Sequence, residues 1–155
     1  MRLWRLSARA TFDGEGARRY GGRWNRPGAS VIYAATTLAL ATLEFLVHLQ
    51  RGRSPAAVFA HYADVPDDVT IKVLDEPRLP EGWRDHPAPE ALQEIGTRWR
   101  ASASTLLLCV PSAVLRVPPT LVPAERNYLV NPAHAEYGRV RVRSVRLSLD
   151  PRMWK

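Results

Sequence analysis

The sequence predicts a single mixed α+β domain spanning residues 1–155, with short central strands and two main helices. A 155-residue chain with 46% apolar residues suits one core of ordinary size. Its strand-like stretches are interspersed with two helical patterns, without the even spacing of a βαβ array. The 13 prolines and 9 glycines lie among apolar runs rather than in a linker, and no internal repeat is visible.

In chain order, "SVIYAA" (30–35) reads as a short strand, and Thr36 or Thr37 can cap a helix from 38 to about 50 that Gly52 closes. "AAVFAHYADV" and "VTIKVL" have strand composition, separated by a turn at Pro66 and the Asp67–Asp68 pair. Pro89 opens a second helix, on which Leu92, Ile95, Gly96 and Trp99 form one apolar stripe. "TLLLCV" is a continuous apolar run, which is how a strand inside a sheet reads, stopped by Pro111. "NYLVNPAH" predicts a strand ending in an Asn-Pro turn. In "VRVRSVRLSL", Val140 and Val142 share one parity while Val145, Leu147 and Leu149 share the other, which predicts a bulge near Ser144.

Charge narrows the partners. The net charge is +7, with +5 on residues 1–26, +5 on residues 139–155 and −3 between them. Basic ends that packed together would attract phosphate-bearing partners, so a nucleic-acid-binding module is one reading. Only Lys72 and Lys155 are lysines, however, and an arginine-rich composition can reflect genome bias instead. Cys109 is the single cysteine, which excludes an internal disulfide and suits a reducing compartment. The N-terminus has no apolar signal region and no run approaches the ~18 apolar residues of a membrane span, so a cytoplasmic location is expected. Of the four histidines, His48 and His134 are the two weighed as ligands, too few for a convincing metal site, and no metal is expected.

One carboxylate stands out. Leu40, Leu43, Glu44 and Val47 share a helical stripe, and Ala39, Leu46 and Leu49 make the remaining circumference apolar, so the helix is expected to be buried on most sides. An unpaired buried carboxylate costs several kcal/mol, so Glu44 needs a partner or a purpose. His48, one turn on, is a candidate partner. A structural Glu–His or Glu–Arg pair and a catalytic carboxylate both meet the requirement. "GGRWN" admits two readings as well: a tight turn with a solvated arginine, or glycines that let Arg23 approach a phosphate while Trp24 supplies a stacking wall. Ser112 in "VPSAV" has neither a neighbouring histidine nor a Gly-x-Ser-x-Gly elbow, so a serine-hydrolase triad is not expected and the plain alternative is a turn or capping serine.

Taken in order, "GARRYGGRWNRPGASVIYAATTLALATLEFLVH", "GTRWRAS", "LLLCVPSAV", "ERNYLVNPAH" and "LDPRMW" resemble the RES-domain toxins of bacterial RES–Xre toxin–antitoxin pairs. The Arg, Glu and Ser that name that family map onto Arg23, Glu44 and Ser112. The resemblance implies a fold similar to ADP-ribosyltransferase toxins and an enzyme that degrades NAD⁺ by hydrolysis or phosphorolysis. On that basis Glu44 would stabilise positive charge at the ribose, Arg23 would hold the pyrophosphate or an incoming phosphate, and Tyr33 would pack on nicotinamide or orient the ribose. Ser112 would hydrogen-bond within the pocket. Arg5, Trp24, Asn25, His48 and Asn127 would complete the substrate-binding wall. NAD⁺ is then substrate rather than cofactor, with inorganic phosphate as a candidate co-substrate. The implied partner is an Xre-type antitoxin, with a homodimer inside that complex and DNA contacts left to the antitoxin. ADP-ribosyl transfer to a macromolecule is the alternative with the same first step. The segment between Ser112 and Asn127 is longer than the resemblance implies.

Overall fold

The computed structural model describes residues 1–49, 55–118 and 120–154. Along the chain run β1 (Arg2–Ser7), α1 (Glu15–Tyr20), β2 (Ile32–Ala35), α2 (Leu38–Val47), β3 (Val58–Asp64), β4 (Ile71–Val73), α3 (Glu90–Ser102), β5 (Leu107–Val110), β6 (Asn127–Val130) and β7 (Arg141–Leu147). The strands form one sheet in the order β4-β5-β6-β2-β1-β3-β7. All pairs are antiparallel except β4 with β5. The architecture is the mixed α+β one the sequence predicts.

β5 carries its apolar run because both faces of the sheet are covered there. Leu108 and Val110 pack with Leu129 against Trp24, Trp83 and the Leu92 and Trp99 side chains of α3. Leu107 turns the other way, to Ile32, Ala34, Val130 and Leu3. Leu92, Gly96 and Trp99 are buried and Ile95 packs against the same cluster, so the predicted stripe of α3 faces the core. The Pro66–Asp68 turn does separate β3 from β4, but the two do not pair: β4 is one edge of the sheet, and β3 lies near the other, between β1 and β7.

Three expectations need correction. α2 is not buried on most sides: Leu40 and Ala41 pack against Leu6, Ala35, Val58 and Ala60, whereas Leu43 is 42% and Val47 58% exposed. The helix lies on the sheet rather than inside the core, so its apolar circumference overstates its burial. It ends at Val47 with His48 as C-cap; Gln50 and Gly52, where the sequence places its end, lie outside the described residues. Thr37 is the N-cap, and its Oγ1 accepts from the Leu40 amide at 3.1 Å. Nor is there a bulge at Ser144. β7 pairs with β3 in unbroken register from Val58↔Leu147 to Asp64↔Arg141. As an edge strand with most residues exposed, β7 is under no pressure to keep its valines on one face.

Between β1 and β7 lies a fully buried histidine. His61 on β3 is matched with Arg5 on one side and Ser144 on the other. Nδ1 is 2.7 Å from Ser144 Oγ, and Nε2 is 3.0 Å from Ser7 Oγ and 3.1 Å from the Arg9 carbonyl. Burial pushes its pKa down, partly offset by the Arg9 carbonyl. The native state thus favours neutral imidazole, and the unfolded chain takes up the extra proton. Stability is complete above the ordinary imidazole value of ~6.5 and falls as pH drops from there toward the depressed folded value. Urea midpoints should therefore fall between about pH 7 and pH 5 in the parent chain, with a shallower slope in His61→Gln.

Candidate active site

The sheet brings the distant motifs together. Asn127, the first residue of β6, stands opposite Ala35 at the end of β2 and Val110 at the end of β5. From β2 the chain passes through Thr36 and Thr37 into α2, which carries Glu44 back over this end of the sheet. From β5 it passes through Pro111 to Ser112, which is buried.

Ser112 Oγ donates to Glu44 Oε1 at 2.8 Å, and Asn127 Nδ2 donates to the same oxygen at 2.6 Å. Oε2 takes no hydrogen bond from the described residues. Ser112 Oγ in turn accepts from the Val114 and Leu115 amides at 3.1 and 3.2 Å, so the serine is a fixed donor. The Asn127 Oδ1 is buried and has no partner among the described residues. An anchored carboxylate with one oxygen free can stabilise positive charge developing on a ligand beside it. The segment beyond Ser112 is tied to the start of α2: Thr37 Oγ1 donates to Glu125 Oε2 at 2.8 Å, and the Arg126 amide donates to Thr36 Oγ1 at 3.0 Å. A small cavity of about 10 Å³ lies beside Ser112, lined also by Arg84, Glu125 and Arg126.

Arg23 lies close enough to Glu44 to feel its charge, but its fork is turned elsewhere: Nη1 donates to the Trp83 carbonyl at 2.5 Å and Nη2 to the Asp85 carbonyl at 3.0 Å. Burial pushes the guanidinium pKa down, against the pull of Glu44. The turn that presents Arg23 is pinned from behind. Tyr33 Oη donates to Asn25 Oδ1 at 2.7 Å and accepts from the Trp24 amide at 3.0 Å. Asn25 Nδ2 donates to the Ala17 and Arg26 carbonyls. Gly22 is required here, since a Cβ would lie 2.5 Å from Tyr33 Oη. Burial raises the Tyr33 pKa, so its hydroxyl stays protonated. Arg5 Nη1 donates to the Tyr33 carbonyl at 3.0 Å; its Nε is buried without a partner among the described residues, and burial lowers its pKa.

The predicted site residues therefore divide. Glu44, Ser112 and Asn127 are in direct contact, with Arg23 nearby. Tyr33 and Asn25 form a buried latch behind the Arg23 turn, and Arg5 braces Tyr33. Trp24 is 3% exposed and packs in the tryptophan cluster, so it is core rather than a stacking wall. His48 is exposed at the end of α2 and is not the partner of Glu44: the helix is too short and too peripheral to enclose it. Sequence reasoning passed over Arg84, although an arginine directly after a tryptophan in the Pro- and Gly-rich "LPEGWRDHP" was a signal. Among the described residues no group of three His, Cys, Asp or Glu side chains could hold a metal ion, and no helix is long and apolar enough to cross a membrane.

A family model for the RES domain matches residues 2–150, and the chain belongs to the RES domain family. Among its relatives, "Prs ADP-ribosylating toxin" of Sphingobium sp. (strain YBL2) is 40% identical over 97% of this chain and 95% of the relative. "Toxin Res" of Yersinia enterocolitica is 39% identical over 99% of both chains. "Toxin Res" of Pseudomonas putida is 36% identical over 99% of this chain and all of the relative. A chain from the crystal structure of the M. tuberculosis MbcT–MbcA toxin–antitoxin complex superposes with a TM-score of 0.74 at 24% identity, covering 95% of this chain and 84% of that one, which establishes the shared fold.

Proposed function

We propose that this chain is the toxin of a toxin–antitoxin pair and cleaves the nicotinamide–ribose bond of NAD⁺. The observation that carries the reading is the Glu44 carboxylate, held through Oε1 by Ser112 and Asn127 with Oε2 left for a ligand. In the reaction the C–N bond breaks with both electrons going to nicotinamide, which leaves neutral, and positive charge builds on the ribose. A carboxylate fixed beside that ribose stabilises the oxocarbenium-like transition state. The buried Asn127 Oδ1 is an acceptor for a ribose hydroxyl once ligand is present. Water or inorganic phosphate then attacks the ribose carbon and gives up a proton, so that hydrolysis yields ADP-ribose and phosphorolysis its 1-phosphate.

The relative named an ADP-ribosylating toxin supports a second reading, in which the acceptor is a group on a protein. The first bond to break is the same in both. The nucleic-acid reading is weakened by the ion pairs: Arg2 is paired with Asp64, Arg18 and Arg19 with Glu15, Arg139 with Asp68 and Glu136, and Arg152 with Asp150. Part of the basic charge is thus paired locally, while Arg141, Arg143 and Arg146 of β7 carry no ion pair among the described residues. The toxin relatives and the toxin–antitoxin neighbour support an antitoxin as partner, and on this reading it is an Xre-type antitoxin met in the cytoplasm.

The test is to incubate the antitoxin-free chain with NAD⁺, with and without phosphate, and identify products by mass spectrometry. Nicotinamide should appear with ADP-ribose or its 1-phosphate. Nicotinamide release with the ADP-ribosyl group retained on protein would favour the second reading, and no release under any condition would sink both.

A further inference from the structure

The NAD⁺-cleaving reading needs a cation for the diphosphate, and the sequence offers Arg23. In the fold, however, both terminal nitrogens of Arg23 donate to main-chain carbonyls, those of Trp83 and Asp85. The residue between those two carbonyls is Arg84. Arg23 thus braces a loop whose tip is another arginine.

Arg84 has the features of an anion grip. Its guanidinium lies over the Trp83 ring, 4.2 Å from the centroid, which fixes its plane and leaves its edge free to bond. It lines the small cavity beside Ser112, together with Arg126. Its Nε is buried with no partner among the described residues, and Nη2 reaches the Val117 carbonyl only at 3.5 Å. Nη1 is on Glu76 Oε1. That carboxylate is an anion supplied by the chain itself, occupying the edge that a phosphate oxygen would take. A cavity of about 10 Å³ has room for roughly one water, so a phosphate group enters only by displacing Glu76 and widening the gap at Val117.

We propose that Arg84, presented by Arg23 and stacked on Trp83, is the phosphate-binding cation of this site, with Glu76 as an internal competitor for it. The inference rests on the NAD⁺ reading for its ligand, but not for its test. The ligand chemistry is a phosphate anion, either the diphosphate of the dinucleotide or free phosphate as acceptor.

Calorimetry on the full chain with inorganic pyrophosphate and, separately, orthophosphate tests this directly. Arg84→Gln should weaken binding about tenfold or more, because a charge-assisted bidentate contact is lost. Glu76→Gln should tighten it about two- to fivefold by freeing Arg84. Preference for pyrophosphate assigns the site to the dinucleotide, and preference for orthophosphate assigns it to the acceptor. The proposal is overturned if the parent chain binds neither anion, or if Arg84→Gln binds as the parent does. Should Arg84→Gln fail to fold, a Glu76→Gln chain that binds no tighter than the parent overturns it equally. A chain that shows the anion pattern yet releases no nicotinamide refutes the reaction and leaves the site. A chain that releases nicotinamide but shows no anion response refutes the site and leaves the reaction.

Discussion

Glu44→Gln is expected to lower nicotinamide release from NAD⁺ by at least 10²- to 10³-fold, the usual cost of removing one fixed electrostatic group from an active site, while the chain stays folded. The geometry makes this substitution unusually clean. Oε1 is the oxygen that Ser112 and Asn127 hold, and the amide oxygen of glutamine can accept both hydrogen bonds. What changes is the other end of the group, where an uncharged amide nitrogen replaces an oxygen that shares the negative charge. The loss should therefore fall on kcat, with KM for NAD⁺ changed only a few-fold and the far-UV spectrum unaltered. Retention of more than about a tenth of the parent rate would remove Glu44 from the chemistry and return it to a structural role.

Gly96→Ala should be the most damaging small substitution in the chain. In an exposed helix interior this change is favourable by roughly 1 kcal/mol. Here a Cβ would lie 1.8 Å from the Trp24 carbonyl oxygen and 2.8 Å from its carbon. The obstacle is backbone, and the Trp24 side chain on the same residue is locked in the tryptophan cluster, so neither partner yields cheaply. A loss of about 3 kcal/mol or more is expected, at the upper end of overpacking costs. Chemical denaturation measures it, and a midpoint equal to the parent's would show that α3 and the Arg23 turn are not in tight contact. The damage should reach function too, because α3 would push on the turn that aims Arg23 at the Trp83 and Asp85 carbonyls.

Much of this was legible in the sequence, and the failures have physical reasons. β5 was legible because burial on both faces leaves an unbroken apolar run, and α3 because its stripe has one period and one destination. The Glu44–Ser112 contact could be reached only through the family motifs, since it depends on β2, β5 and β6 lying side by side. β1 escaped notice: Leu3 and Leu6 point to opposite faces and are separated by Trp4 and Arg5, so neither alternation nor a run is visible. The misjudged burial of α2 came from counting apolar residues without knowing that only one side meets the sheet. Trp24 and Arg84 show the same limit. An aromatic beside a glycine pair and an arginine beside an aromatic look alike as ligand walls, and only the packing separates core from rim.

β7 closes one side of the sheet with a seven-residue strand that no other strand among the described residues covers. Such an edge is a template on which another chain can grow a β-ladder. Arg141, Arg143 and Arg146 are spread along it, and the strand contains no acid. A second copy docking edge to edge in either direction would set arginine near arginine, at a cost that salt reduces by screening. The row of like charges thus guards the strand against its own kind, disfavouring this edge as a contact between copies of the chain.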